Sequence, residues 1–495
     1  MVDVNRLVVM SNRLPVALHE EEGNWRAAPA PGGLVTALSP VLKKHSGVWI
    51  GWPGTTEPVD LDTALNAVST ELGYRLESVQ LNTEQLEGYY YGFSNEIIWP
   101  LFHGFETRCN FEPDYWQDYQ DANRQFAAAT AGVLEPGDFL WIHDYHLMLT
   151  ARELKQQNPG LNCAFFLHIP FPPPDIFFKL PWRKEILEGL LAFDLVGFQT
   201  LRDRRNFTLC LQQLRIPGLK VYGRGAVVDI SLGEHRLRAG AFPISLDYQD
   251  IQRHAATPEV EQLAWLFHEK FPHRQIMIGM DRLDYTKGIP ERLAAFGLAL
   301  ERYPELRGNL TMVQLTVPSR ERVPEYERLR GEIEQLVGQI NGQYTEIGDW
   351  VPIHYIHRTI SRSEVLAYLR SAENAIVTPL RDGMNLVAKE YVACNLDGTG
   401  ALILSEFAGA AAEFKRRAIL VNPYDSEGVA AAIRHVFHMD NNERKRRMTK
   451  LREIVRKNDI FNWVENYVGT ATHRDEKSAL TVDEFAPDFK LNDSQ

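Results

Sequence analysis

The sequence is short of cysteine, short of positive charge and short of long apolar runs. Four cysteines occur in 495 residues, and Cys109, Cys163, Cys210 and Cys394 lie far apart, with no paired spacing of the zinc-site or redox-motif kind. They read as buried thiols of a protein in a reducing compartment. Lys and Arg number 53 against 65 Asp and Glu, a formal net charge of −12, which argues against nucleic acid or an anionic membrane as the main partner. Any anion would have to be bound by a few placed arginines. The N-terminal MVDVNRLVVMSNRLPV holds only a short apolar run before Ser11, too little for a signal-peptide core or a spanning helix. A cytoplasmic protein with small-molecule partners, and no nucleic acid or membrane partner, is the expectation.

What is present is the composition of a globular protein, 44% hydrophobic and 24% charged. The length suits two domains of roughly 200 residues or more each. Short runs rich in Val, Ile, Leu and Phe alternate with amphipathic stretches: RLVVMSN, GVWIGW, DFLWIHD, CAFFLHIP and DLVGFQT, then QIMIGMD, LTMVQLT, IHYIH, NAIVTPL, ALILSE and AILVNP. Strands apolar nearly throughout, separated by helical patterns, read as parallel strands buried on both faces. Two doubly wound α/β domains follow. The boundary is expected within 241–259, where Thr257-Pro258-Glu259 looks like an N-cap with proline at the first helical position. We therefore expect domains at 1–245 and 246–475, and a disordered tail at 476–495, which is polar and lacks a clear period. No internal repeat is visible.

Open α/β sheets bind ligands at the carboxyl ends of their strands, so the residues after each apolar run carry the information. Arg13 follows the first run, and Gly32 and Gly33 follow in APGGLVTAL. A glycine pair before a helix lets backbone N–H groups approach a phosphate, although a loop glycine pair is more often structural. WIHDYHLM places His143, Asp144 and His146 at one strand end, and FFLHIPFPPP places His168 at the next. A single histidine there is usually structural; two polar clusters at adjacent strand ends point equally to an active site. Arg282 and Lys287 stand five apart before Gly288 in MDRLDYTKGIPERL. They are either a solvated charge pair or the equipment for a diphosphate, because charges and backbone donors can converge at a helix start. Arg320 follows another strand, where a surface role is equally open.

RDGMNLVAKE, Arg381 to Glu390, puts two opposite charges beside a glycine at the mouth of a strand, then a carboxylate two helical turns on. Together with SNRLPV, GGL, YYYGFSNEIIWPLFH, WIHDYHL, FFLHIPFP and DRLDYTKG, the segment TPLRDGMNLVAKEYVA resembles, in order and spacing, the trehalose-6-phosphate synthase family of retaining glycosyltransferases. The resemblance runs from about residue 6 to about residue 470. It implies a GT-B architecture, two Rossmann-like domains facing across a cleft with a final helix crossing back to the first. It implies transfer of glucose from UDP-glucose to glucose 6-phosphate with retention, with no required metal and no cofactor. Matched motif to motif, the donor side is Gly33, Arg282, Lys287, Asp382, Met384, Asn385, Leu386 and Glu390. The acceptor side is Arg13, Tyr90, Trp99, Asp144 and Arg320, with His168 beside the reacting sugar. Asp144, His168, Arg282, Lys287 and Asp382 are the expected catalytic set.

That set explains the quoted stretch. Asp382 can accept hydrogen bonds from sugar hydroxyls, Gly383 lets the backbone turn its N–H groups toward a diphosphate, and Glu390 suits the two ribose hydroxyls. No Asp-x-Asp pair stands at a strand end, and the cationic residues would do a metal's work. Two segments near the expected cleft depart from the family pattern: PLFHGFETRCNF where PLFHYR is usual, and FPISLD where PIGID is usual. Glucosylglycerol-phosphate synthases share the fold and use glycerol 3-phosphate, often with ADP-glucose, and form the alternative. A non-catalytic sugar-phosphate sensor is a remoter one, since such a chain is expected to have lost some of these charged residues. A homo-oligomer is expected.

Overall fold

The apolar runs fold as the strands of two sheets, each inside its own unit of the chain. The structure, a computed structural model, describes residues 6–21, 24–29, 33–57, 61–320, 323–345, 350–472, 482 and 484. One unit is formed by residues 1–247 with 459–482, the other by 248–458. The tail beyond 475 lies almost wholly outside the described residues, as does Gly32.

In the first unit the strands are β1 (Arg6–Arg13), β2 (Val16–Glu21), β3 (Asn24–Pro29), β4 (Val48–Trp52), β5 (Arg75–Ser78), β6 (Asp138–His143), β7 (Cys163–Phe166), β8 (Leu195–Phe198), β9 (Leu219–Tyr222), β10 (Val227–Leu232) and β11 (His235–Ala241). Nine of them form one sheet, in the order β5-β4-β1-β6-β7-β8-β11-β10-β9, and β2 and β3 make a separate hairpin. From β5 to β11 the pairing is parallel. The edge is not: β10 runs antiparallel to both β11 and β9, so the parallel expectation fails there. These edge strands alternate charged and apolar residues, Asp229 exposed between buried Val228 and Ile230, which suits a sheet solvated on one face.

The second unit holds β12 (Gln275–Arg282), β13 (Leu310–Val317), β14 (Ile353–His357), β15 (Asn374–Val377), β16 (Ala401–Ser405) and β17 (Ile419–Val421). Their order is β14-β13-β12-β15-β16-β17, all parallel. Helices connect them, among them Ile289–Arg302, Arg362–Ser371 and Leu386–Cys394. Thr257 caps the helix Pro258–His268 as its sequence suggested, accepting the Val260 N–H at 3.5 Å.

The helix Ile460–Thr472 belongs to the first unit and is fastened there by its aromatic face. The Tyr467 ring stacks on Trp141 at 4.4 Å, its hydroxyl donates to the Phe165 carbonyl at 2.7 Å, and Trp463 Nε1 donates to the Phe242 carbonyl at 3.0 Å. Such aromatic pairs contribute about 0.5–1.5 kcal/mol each beyond their burial. Gly197 of β8 makes room: a Cβ there would stand 2.4 Å from the Tyr467 ring.

Both sheets reverse direction beside their first strand. In the first unit the chain adds β4 and β5 on one side of β1, then returns to place β6, β7 and β8 on the other. In the second it adds β13 and β14 beside β12, then β15, β16 and β17 opposite. The crevices at the carboxyl ends of β1 with β6, and of β12 with β15, are where open α/β sheets take ligands.

Candidate active site

The two switch points are lined by the residues that the sequence singled out. In the first unit Arg13 ends β1, exposed, with its guanidinium 4.9 Å from the centre of the Trp52 ring at the end of β4. Gly54 keeps this place open, since its φ of 104° and a Cβ 2.6 Å from the Arg13 guanidinium both bar a side chain. Next to Arg13, buried Asn12 accepts the Tyr89 hydroxyl at 2.9 Å, which ties the β1 end to the helical segment Leu86–Ile98.

That segment is wound with π-type hydrogen bonds over thirteen residues, a rare winding that is frequent at functional sites. It carries Tyr90, half-buried and stacked on His146 at 5.7 Å. Trp99 follows it, packed on His103 and Tyr145 at 4.3 and 5.8 Å. Asn95 joins these parts, donating to the Tyr90 carbonyl at 2.7 Å and accepting the Tyr145 hydroxyl at 3.1 Å.

Asp144 follows β6 with a φ of 75°, a backbone region that costs a non-glycine residue on the order of 1–3 kcal/mol and persists where surrounding bonds impose it. Here the Asp144 N–H donates to the Phe166 carbonyl at 2.8 Å, and its carboxylate accepts the His168 N–H at 3.2 Å. His143 Nδ1 and His168 Nε2 lie 3.1 Å apart. Burial, helped by His168, holds His143 well below the ordinary histidine value; burial pushes His168 down to about 3. Both rings are neutral at physiological pH.

The second unit's site is built from ion pairs. Lys287 Nζ donates to Asp382 at 2.6 Å, with side chains only 10% and 13% exposed. Asn385 Nδ2 donates to the same carboxylate oxygen at 3.1 Å, while its Oδ1 accepts the Ala388 N–H and caps the helix Leu386–Cys394. This capping holds Met384, Asn385 and Leu386 at a helix N-terminus, where backbone donors favour an anion. Gly288 begins the helix Ile289–Arg302 with a φ of 63°; a Cβ would meet the Thr378 carbonyl at 2.5 Å, so the two strand exits meet only because it is glycine. Gly383 is pressed as closely, its carbonyl 1.9 Å from where a Gly409 Cβ would stand.

Arg282 ends β12 and is exposed. Arg320, after β13, is not the surface residue of the alternative reading. Its side chain is 6% exposed, it lies 3.6 Å from Asp284, and it donates to the Tyr326 hydroxyl at 2.6 Å. Of the acidic residues that follow it in sequence, Glu325 pairs with Arg328 at 2.6 Å, and Glu321 lies outside the described residues. Burial pushes Asp284 upward, but Arg320, Lys287 and Arg282 outweigh it and hold the carboxyl below its ordinary value. Glu390 sits half-buried on the helix after Asn385, raised by burial against the opposing pull of Arg362. Gly33 opens the helix Gly33–Lys44 of the first unit.

Three residues that sequence reasoning missed hold this set in place. Asp284 lies inside a quoted motif, overshadowed there by its cationic neighbours. Arg292 is fully buried and binds Asp281 at 2.6 Å, Thr378 at 3.0 Å and the Lys287 carbonyl at 3.2 Å, fixing the lysine from behind. Tyr326, which receives Arg320, sits in a helix whose sequence carries no site signal.

Two units, each with a largely parallel sheet and charged residues gathered at its switch point, define a ligand-binding protein of the doubly wound α/β class. Comparison with known proteins narrows this: Glycosyltransferase family 20 matches residues 5–473. The chain belongs to that family. It is 44% identical over 470 residues to the trehalose-6-phosphate synthase of Mycobacterium leprae, covering 93% of each chain. To that of Mycolicibacterium smegmatis it is 43% identical, covering 93% of this chain and 91% of the relative. Among solved structures it is similar to an E. coli protein bound with UDP-2-fluoro glucose, with a TM-score of 0.84 and 36% identity over 94% of this chain and 98% of that one. It is also similar to an alpha,alpha-trehalose-phosphate synthase (UDP-forming) from Burkholderia xenovorans in complex with glucose-6-phosphate, with a TM-score of 0.84 and 32% identity over 94% and 99%. The expected fold class, GT-B with Rossmann-like units, is borne out. Among the described residues no helix is long and apolar enough to cross a membrane.

Proposed function

We propose that the chain is a retaining glucosyltransferase that makes trehalose 6-phosphate and UDP from UDP-glucose and glucose 6-phosphate. The observation that carries the reading is the Lys287–Asp382–Asn385 constellation at the switch point of the second sheet, in a chain whose relatives at 43–44% identity bear the name trehalose-6-phosphate synthase. In this reading Arg282 and Lys287 neutralise the departing diphosphate, where charge grows in the transition state. Asp382 takes hydroxyls of the transferred glucose, the turn Met384-Asn385-Leu386 and Gly33 present backbone donors, and Glu390 takes the ribose. Arg13, Tyr90, Trp99 and Arg320 take the acceptor phosphate, Asp144 an acceptor hydroxyl, and His168 stands beside the transferred sugar.

Retention fits a front-face reaction: the leaving diphosphate oxygen takes the acceptor's proton as an oxocarbenium-like centre forms, and the protein contributes position and charge. The two-carboxylate route would need a nucleophile on the opposite face. The chain is proposed to work in the cytoplasm as a homo-oligomer, with domain limits at 1–245 and 246–475 and the final helix of the second segment returning to the first unit.

The test is to supply UDP- or ADP-glucose with glucose 6-phosphate or glycerol 3-phosphate, in excess chelator, and identify the product. The α,α-linked disaccharide phosphate with release of UDP is expected. Preference for glycerol 3-phosphate, or activity that returns only on adding a divalent metal, contradicts the reading.

A further inference from the structure

We propose that His143 is a positioning residue that donates its Nδ1–H to His168 Nε2 and thereby fixes His168 as a hydrogen-bond donor through Nδ1. The inference rests on the proposed place of His168 beside the transferred sugar. His143 ends β6 with no exposure, and His168 stands two residues beyond β7, the neighbouring strand, in which Phe166 is the register partner of His143. The facing nitrogens are 3.1 Å apart, so one proton lies between them.

Two neutral arrangements are open. If His168 donated from Nε2, His143 would carry its own proton on Nε2. That nitrogen is buried and has no hydrogen-bond partner among the described residues. The ring beside it, Trp141 at 4.7 Å, has only a donor to offer. A buried N–H without an acceptor is among the rarest features of folded proteins. In the other arrangement the orphan is a bare lone pair, His143 carries its proton on Nδ1, and His168 is left with a proton on its remaining nitrogen, Nδ1. A third, charged arrangement is opposed by burial, which lowers both rings. The carboxylate close by, Asp144, is engaged with the His168 backbone N–H at 3.2 Å, and the other rings packed on His168, Phe166 and Trp463, carry no charge.

The consequence is chemical. A neutral His168 with Nδ1–H offers a donor to a sugar oxygen and no lone pair, so it cannot act as a base toward the acceptor. His168 is thereby removed as the proton's destination, in keeping with the front-face scheme in which the diphosphate takes it.

The tautomer is read directly in the whole protein by nitrogen-15 spectra of labelled histidine, with no substrate present. We expect His168 to show a protonated Nδ1 and a bare Nε2; a protonated Nε2 on His168 overturns the proposal. Substitution gives the functional arm. His143→Asn keeps an N–H near the position of Nδ1, whereas His143→Phe removes it. We expect kcat to fall roughly tenfold to a hundredfold in H143F, by analogy with partners that orient metal-bound histidines, with the acceptor KM little changed and most of the rate recovered in H143N. Equal loss in both, or loss in neither, also overturns it. Failure of the proposed reaction would appear as missing product in the unsubstituted enzyme and would leave the tautomer measurement intact.

Discussion

The switch points of the two units solve opposite problems. In the second unit the cations lie beside carboxylates: Lys287 by Asp382, and Arg320 by Asp284. In the first, apart from Arg13 and Asp144, the lining is neutral: stacked rings, amide bridges and two uncharged histidines. A diphosphate needs fixed positive charge, and buried cations survive only beside a countercharge. A sugar phosphate needs fewer charges, of which the first unit supplies Arg13, and a shaped wall of donors. The two should therefore fail differently when cut.

The largest effect is expected where a charge pair is broken. Lys287→Ala should lower kcat by on the order of a hundredfold or more, because the stabilisation it removes grows in the transition state. The burial of the pair adds a second cost that the sequence alone does not show: Asp382 is left without its cation, which lowers stability by about 3–5 kcal/mol. Turnover per folded enzyme together with denaturant unfolding checks both, and near-normal turnover removes Lys287 from the reaction. Next, Arg320→Ala should raise the acceptor KM roughly tenfold to over a hundredfold, the equivalent of about 1.5–3 kcal/mol for hydrogen bonds to a charged group. An unchanged acceptor KM, or free glucose serving as well as its phosphate, breaks the assignment.

The histidine pair gives a smaller, pH-dependent effect. His168 binds a proton at about 3 when folded, against an ordinary histidine value of 6.5. Between those values the unfolded chain takes up a proton that the folded chain refuses, so stability falls as pH falls from about 6.5 toward 3 and is flat above. Melting curves at about pH 7.5 and about pH 5, on either side of the unfolded value, should show a larger drop for the unsubstituted protein than for the His143→Asn, His168→Asn double variant. An equal drop in both would place the pH dependence elsewhere.

Much of this was legible in the sequence. The apolar runs named the parallel strands, because strands buried on both faces cannot hide their pattern, and the residues after them named Arg13, Asp144, His168, Arg282, Lys287 and Asp382. The antiparallel edge β9–β11 was not legible, since short alternating strands give a weak signal beside long helices. Nor was the environment of Arg320. Its acidic neighbours in sequence suggest a surface pair, whereas Asp284 arrives from another strand end and Tyr326, six residues on, from the helix that follows. Partners brought by the fold leave no local pattern, and Arg292, inside the same quoted stretch as Lys287, looks in sequence like one more helix charge.

In the proposed function the nucleotide diphosphate is held by the second unit's charges, and Arg13 of the first unit serves the acceptor's phosphate instead. Calorimetric titration of UDP without acceptor, into Arg13→Ala and Lys287→Ala, tests it most directly. The account predicts an unchanged UDP Kd for Arg13→Ala and a Kd raised roughly tenfold to a hundredfold for Lys287→Ala, the range for one charged hydrogen-bond partner. Loss of UDP binding in Arg13→Ala, with binding retained in Lys287→Ala, would contradict it.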